Sequence, residues 1–133
     1  MTQTDRLSVF YVDDDDDIRH IVTLSLALDP LIELRAFANG EDALSVAEKE
    51  TWQPDIVLLD VMMPGMDGPS LMQRLRALPH FGTLPFVFLT ARARLGDIED
   101  YKALGAADVI LKPFDPLTLA KQLHKISRTA RVR

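Results

Sequence analysis

An open parallel β-sheet with helices on both faces is the fold that this sequence predicts. Three observations lead there. Five short apolar runs, Leu7–Val12, Ile32–Phe37, Ile56–Leu59, Phe86–Leu89 and Val109–Leu111, alternate with segments of helical spacing. Charges are nearly absent from the middle of most runs, as in strands covered on both faces. No internal repeat, low-complexity linker or Pro/Gly-rich hinge interrupts the order, so 133 residues read as one domain with a core over about 7–127 and a basic C-terminal tail. Right-handed crossovers between successive parallel strands then place the helices on both sides.

Each element has its own local reason. The first helix is marked by Ile18, Ile21, Val22 and Leu28, with Asp15 or Asp16 as its cap and Asp17 in its acidic first turn. The second strand, ending near Phe37, is expected at a sheet edge. Ala43, Leu44 and Ala47 mark the second helix. Trp52, just ahead of the third strand, is expected to be partly buried. Leu71, Leu75 and Leu78 mark the third helix, with Asp67 as candidate cap and Pro69 in the first turn. Met62, Met63, Met66 and Met72 are assigned to packing. Leu95, Ile98, Tyr101 and Leu104 mark the fourth helix, and Leu119, Leu123 and Ile126 the fifth.

Composition narrows the function. Hydrophobic residues make up 47% and charged residues 26%, enough for a core and a solvated surface. Twenty acids against fifteen bases give a net charge of −5, unfavourable for non-specific nucleic-acid binding. The absence of cysteine excludes disulfides, thiolate nucleophiles and zinc–thiolate sites. No apolar run approaches the roughly 20 residues of a membrane span, and the polar start lacks a signal-peptide core. A cytoplasmic protein with no membrane or direct nucleic-acid partner is expected, as a monomer or weak dimer.

In such sheets ligands sit beyond the carboxyl ends of the strands. There the first strand delivers Asp13 and Asp14, the third Asp60, the fourth Thr90 and the fifth Lys112. Three neighbouring carboxylates repel one another unless one is protonated or a cation neutralises them. A hard divalent ion, Mg²⁺ or Mn²⁺, suits oxygen ligands at a water-accessible mouth, with Asp14 and Asp60 bound directly and Asp13 through a water. Asp60 can then attack phosphorus to form an acyl phosphate, while Lys112 and Thr90 supply a cation and a hydroxyl to the phosphoryl oxygens. A calcium loop over the aspartate run is rejected, because Ile18 stands where glycine is needed and Leu24 where the closing acid is needed. His20, His80 and His124 have no mutual spacing that suggests a metal site.

The runs VFYVDDDDDIR, IVLLDVMMPGMDG, FVFLTA and VILKPF together resemble the receiver domains of bacterial two-component response regulators, over roughly residues 7–127. The resemblance implies a flavodoxin-like (βα)5 fold with strand order 2-1-3-4-5. It implies phosphorylation of Asp60 by a sensor histidine kinase or histidine phosphotransfer protein, with Asp13 and Asp14 as the acidic pair. It adds the backbone carbonyl of Met62 as a metal ligand, phosphoryl contacts from Thr90 and Lys112, and a cis bond before Pro113. The module is expected to be a stand-alone receiver acting through an output protein, a carrier that passes the phosphoryl group to another histidine in a relay, or one domain of a longer kinase; in each case it catalyses only its own phosphorylation and dephosphorylation. Val109 departs from the family, because an aromatic residue at that position accompanies the threonine in members that switch through such a pair. The alternative is a phosphatase resembling the haloacid dehalogenase superfamily, with Asp13 as nucleophile, in which Asp60 and the block after it have no job.

Overall fold

Strand β1 (Leu7–Val12) pairs on one side with β2 (Ile32–Phe37) and on the other with β3 (Ile56–Asp60). Strands β4 (Phe86–Thr90) and β5 (Asp108–Leu111) follow outward from β3, so the all-parallel sheet has the order β2-β1-β3-β4-β5. The computed structural model describes residues 6–91 and 94–131. Helices α1 (Asp16–Ala27), α2 (Gly40–Lys49), α3 (Gly68–Arg76), α4 (Leu95–Ala103) and α5 (Leu119–Arg131) alternate with the strands. None of the helices among the described residues is long and apolar enough to cross a membrane.

Alternation along the strands divides the core into two layers. Leu7, Val9, Tyr11, Ile56, Leu58, Val87 and Leu89 meet Val22 and Leu26 of α1 and Leu119 and Leu123 of α5. Phe10, Val12, Val57, Leu59, Phe86 and Phe88 meet Ala43, Leu44 and Ala47 of α2 and Leu71, Met72 and Leu75 of α3. The three inner strands are buried along nearly their whole length, as charge-free runs require. The two edge strands β2 and β5 are only partly covered.

Asp15 is the cap of α1, its carboxylate accepting from the backbone N–H of Asp17 (2.9 Å) and Ile18 (3.1 Å). Replacing it with alanine keeps the backbone and removes both bonds, so a loss of about 1 kcal/mol in urea unfolding is expected. Asp67 caps α3 through Ser70 N–H at 2.9 Å, with Pro69 in the first turn. Trp52 is half-buried, with the Arg35 guanidinium 4.4 Å above its ring.

Several expected details differ. Ile21 and Leu28 do not face the core: they are 40% and 69% exposed, and Leu28 is the C-cap of α1. The buried stripe runs through Val22, Ser25 and Leu26, with the Ser25 hydroxyl donating to the Pro116 carbonyl. Leu104 likewise ends α4 as an exposed cap, and Leu78 lies beyond α3 while still touching the core. Met63 and Met72 are buried and Met66 partly so, but Met62 points to solvent. Helix α5 continues beyond residue 127 to Arg131, and β5 begins one residue early, at Asp108.

Candidate functional site

The strand ends meet at one rim of the sheet. Asp13 extends the ladder beyond β1, its N–H donating to the Phe37 carbonyl at 3.1 Å. Asp60 is the last residue of β3 and Thr90 of β4. Lys112 N–H donates to the Thr90 carbonyl at 2.9 Å and so follows directly on β5. Continued alternation puts Asp13, Asp60 and Lys112 on the α1/α5 side, in step with Tyr11, Leu58 and Ile110. Thr90 continues the opposite side, in step with Phe88. The Lys112–Pro113 peptide is cis, as the resemblance implied.

Lys112 bridges two acids: its Nζ lies 3.2 Å from Asp60 Oδ1 and 3.4 Å from Asp13 Oδ2. One carboxylate oxygen from each of Asp13, Asp14 and Asp60 lies within 4.8 Å of the others. Asp13 is fully buried, Asp60 is 5% exposed, and Asp14 opens to solvent. One ammonium against three clustered carboxylates leaves excess negative charge at a mouth with water access, which fits a hard divalent cation. Burial, reinforced by the Asp13 charge and opposed by Lys112, pushes Asp60 up to about 7. Burial and the neighbouring carboxylate thus disfavour the charged form of Asp60.

Two further residues, not singled out by strand-end chemistry, join the site. Tyr11 is wholly buried, and its hydroxyl donates to Asp13 Oδ2 at 2.9 Å. Burial and the Asp13 carboxylate hold this phenol well above its ordinary range, so it is a neutral donor. Strand periodicity could have revealed it, because residues two apart share a face. Arg19, one turn into α1, donates to the Asp13 carbonyl at 2.9 Å and pairs with Asp16 at 2.5 Å. Its position gave no comparable signal.

Glycines shape the loop after Asp60. Gly65 has φ +80°, open to glycine with little steric cost. Gly68 N–H donates to the Val61 carbonyl at 2.9 Å, drawing the start of α3 onto the end of β3. Met62, beside the acid, is 60% exposed. Arg92, two positions after Thr90 in the sequence, lies outside the described residues. The three histidines do not assemble: His20 is exposed, His80 meets the Phe81 ring edge-on, and His124 pairs with Asp29 at 2.9 Å.

The comparisons agree with this architecture. The family described as response regulator receiver domain matches residues 9–124. The transcriptional regulatory protein CseB of Streptomyces coelicolor is 37% identical over 124 residues, covering 93% of this chain and 50% of the regulator. A 14.6 kDa protein from the sodA1 3′ region of Leptolyngbya boryana is 39% identical over 120 residues, covering 90% of this chain and 89% of that protein. The chain thus spans about half the length of the transcriptional regulators it matches. Among solved structures, the chemotaxis protein CheY4 of Vibrio cholerae superposes with a TM-score of 0.80 at 32% identity, covering 90% of this chain and 98% of that one. Sequence, strand order and the assembled rim agree, and the chain belongs to the response regulator receiver domain family.

Proposed function

We propose that this domain accepts a phosphoryl group on Asp60 from a histidine kinase or histidine phosphotransfer protein, in a reaction that depends on Mg²⁺ or Mn²⁺, and signals through contact with an output protein. The observation that carries the reading is the placement of Asp60, buried at the end of β3, clustered with the Asp13–Asp14 pair and joined to Asp13 by the bridging Lys112 ammonium.

The ion would be held by Asp14 and Asp60, by Asp13 through water, and by the backbone carbonyl of Met62. When bound it supplies charge neutralisation and polarises the phosphoryl oxygens. The chain's own groups do the rest. An Asp60 carboxylate oxygen attacks phosphorus as the bond from phosphorus to the donor imidazole nitrogen breaks, and that electron pair leaves with the ring. Lys112 can move from the Asp60 carboxylate to a phosphoryl oxygen, and the buried Thr90 hydroxyl can donate to another. The burial of Asp13 and Asp60 limits water beside the acyl phosphate. The domain modifies itself and is not an enzyme of substrate turnover.

Intact-mass analysis after incubation with a small phosphodonor tests this. Wild type should gain one phosphoryl group with Mg²⁺ and none with chelator, and Asp60→Asn should gain none. An adduct that survives in the folded Asp60→Asn protein would move the nucleophile to Asp13 and overturn the reading.

A further inference from the structure

We propose that Tyr11 is a positioning residue that fixes the Asp13 carboxylate, so that Asp13 serves a divalent ion through water and the site favours Mg²⁺ over Ca²⁺. The inference rests on the divalent-ion reading above and goes beyond it by assigning ion selectivity to a residue buried beneath the site.

The acceptor positions of the Asp13 side chain are nearly all taken. A carboxylate offers about four lone-pair positions. On Asp13, Oδ1 accepts from Asp15 N–H at 3.0 Å, and Oδ2 faces both the Tyr11 hydroxyl at 2.9 Å and Lys112 Nζ at 3.4 Å. The backbone carbonyl of Asp13 is occupied by Arg19 at 2.9 Å. About one acceptor position is therefore left for the site, on Oδ1. Of the four donors, Tyr11 is set most firmly: its ring is fully buried in the core layer on the α1/α5 side, on a residue paired in register with Leu58, and close packing there resists following a moving carboxylate. Lys112, on a flexible stem, can leave when a phosphoryl group arrives.

Restraint of this kind discriminates between ions. Mg²⁺ sheds water reluctantly and is satisfied by one or two carboxylates plus several waters. Ca²⁺ seeks six to eight oxygens and gains from a third carboxylate that can swing inward, including in bidentate mode. Holding Asp13 back withholds that third ligand. Tyr11→Phe keeps the buried ring and removes only the hydroxyl, which opens one acceptor position on Oδ2 beside the one that Lys112 occupies.

The test is calorimetric titration of the metal-free full chain with MgCl₂ and with CaCl₂. The ratio of the Ca²⁺ to the Mg²⁺ dissociation constant should fall at least threefold in Tyr11→Phe. In an Asp13→Asn background the same change should leave the ratio where it was, because Tyr11 acts through the Asp13 charge. An unmoved ratio in Tyr11→Phe, or an equal movement in both backgrounds, overturns the proposal. Wild type that binds neither ion removes the divalent-ion reading itself, a distinct failure. A readout independent of variant folding is the Tyr11 hydroxyl proton of wild type. Its NMR signal should persist at saturating Mg²⁺, and its loss would show that Asp13 has left Tyr11 and would sink the idea.

Discussion

Gly68→Ala is expected to destabilise the domain by about 3 kcal/mol and to slow phosphorylation of Asp60. The first residue of α3 lies so close to the end of β3 that a Cβ at Gly68 would fall 2.5 Å from the Asp60 carbonyl oxygen and 3.0 Å from Val61 Cα. Both are backbone atoms, so no side-chain rotation can relieve the clash. Either the Gly68–Val61 hydrogen bond breaks, or the peptide carrying Asp60 shifts. The first costs stability, and the second also moves the Asp60 carboxylate away from Lys112 and Asp13. Gly65→Ala is the control. Its φ of +80° is unfavourable for alanine, but the added methyl would lie 3.7 Å from its nearest neighbour, a Glu41 side-chain oxygen. About 1 kcal/mol is expected there, with little change in phosphorylation. Urea unfolding of the two variants checks the order, and a Gly68→Ala protein within 1 kcal/mol of wild type would refute the close-approach argument.

Two charge deletions at the rim are expected to move stability in opposite directions. In chelator at pH 8, Asp60→Asn should stabilise the domain by about 1–3 kcal/mol, because it removes a buried anion that faces Asp13. Lys112→Met should destabilise it by about 3 kcal/mol, because Asp13 and Asp60 lose the ammonium between them. The sign with pH follows from the Asp60 value of about 7 against an ordinary value of 3.8. From about pH 4 to pH 7 the folded protein retains a proton that the unfolded chain has released. Stability therefore falls as pH rises through this window, and the loss is complete above pH 7. The advantage of Asp60→Asn should grow over the same window and vanish near pH 4. Saturating Mg²⁺ should reverse it at pH 8, because the ion stabilises wild type through the carboxylate that the variant lacks. Thermal melts across pH, with and without Mg²⁺, measure each part, and an Asp60→Asn protein less stable than wild type in chelator at pH 8 would contradict the electrostatic account.

Short-range forces make part of this architecture legible in the sequence. A strand buried on both faces can carry almost no charge, so Leu7–Val12, Ile56–Asp60 and Phe86–Thr90 announce themselves, and the polar groups that follow them must lie at a sheet end. Caps act over three residues, which is why Asp67 was readable and Asp15 was narrowed to two choices. Helix α1 was harder. Its apolar residues surround more than one arc, and only the approach of α5 and Pro116 decided that Val22 and Leu26 go inside while Ile21 and Leu28 face water. Met62 and Met63 are alike in sequence and opposite in burial, because the turn between them follows the path of the loop, not the residue type.

Periodicity, charge exclusion and capping act over a few neighbouring residues, so the alternating strands and helices, the parallel sheet they imply, and the arrival of Asp13, Asp14, Asp60, Thr90 and Lys112 at strand ends are legible in the chain order. Three-dimensional packing is what sets Lys112 across two acids 52 and 99 positions away, Tyr11 against Asp13, and Gly68 where no methyl group fits beside Asp60. Those facts depend on the register of β1, β3 and β5 and on how closely α3 is drawn onto the sheet, quantities set by the packing of the whole domain.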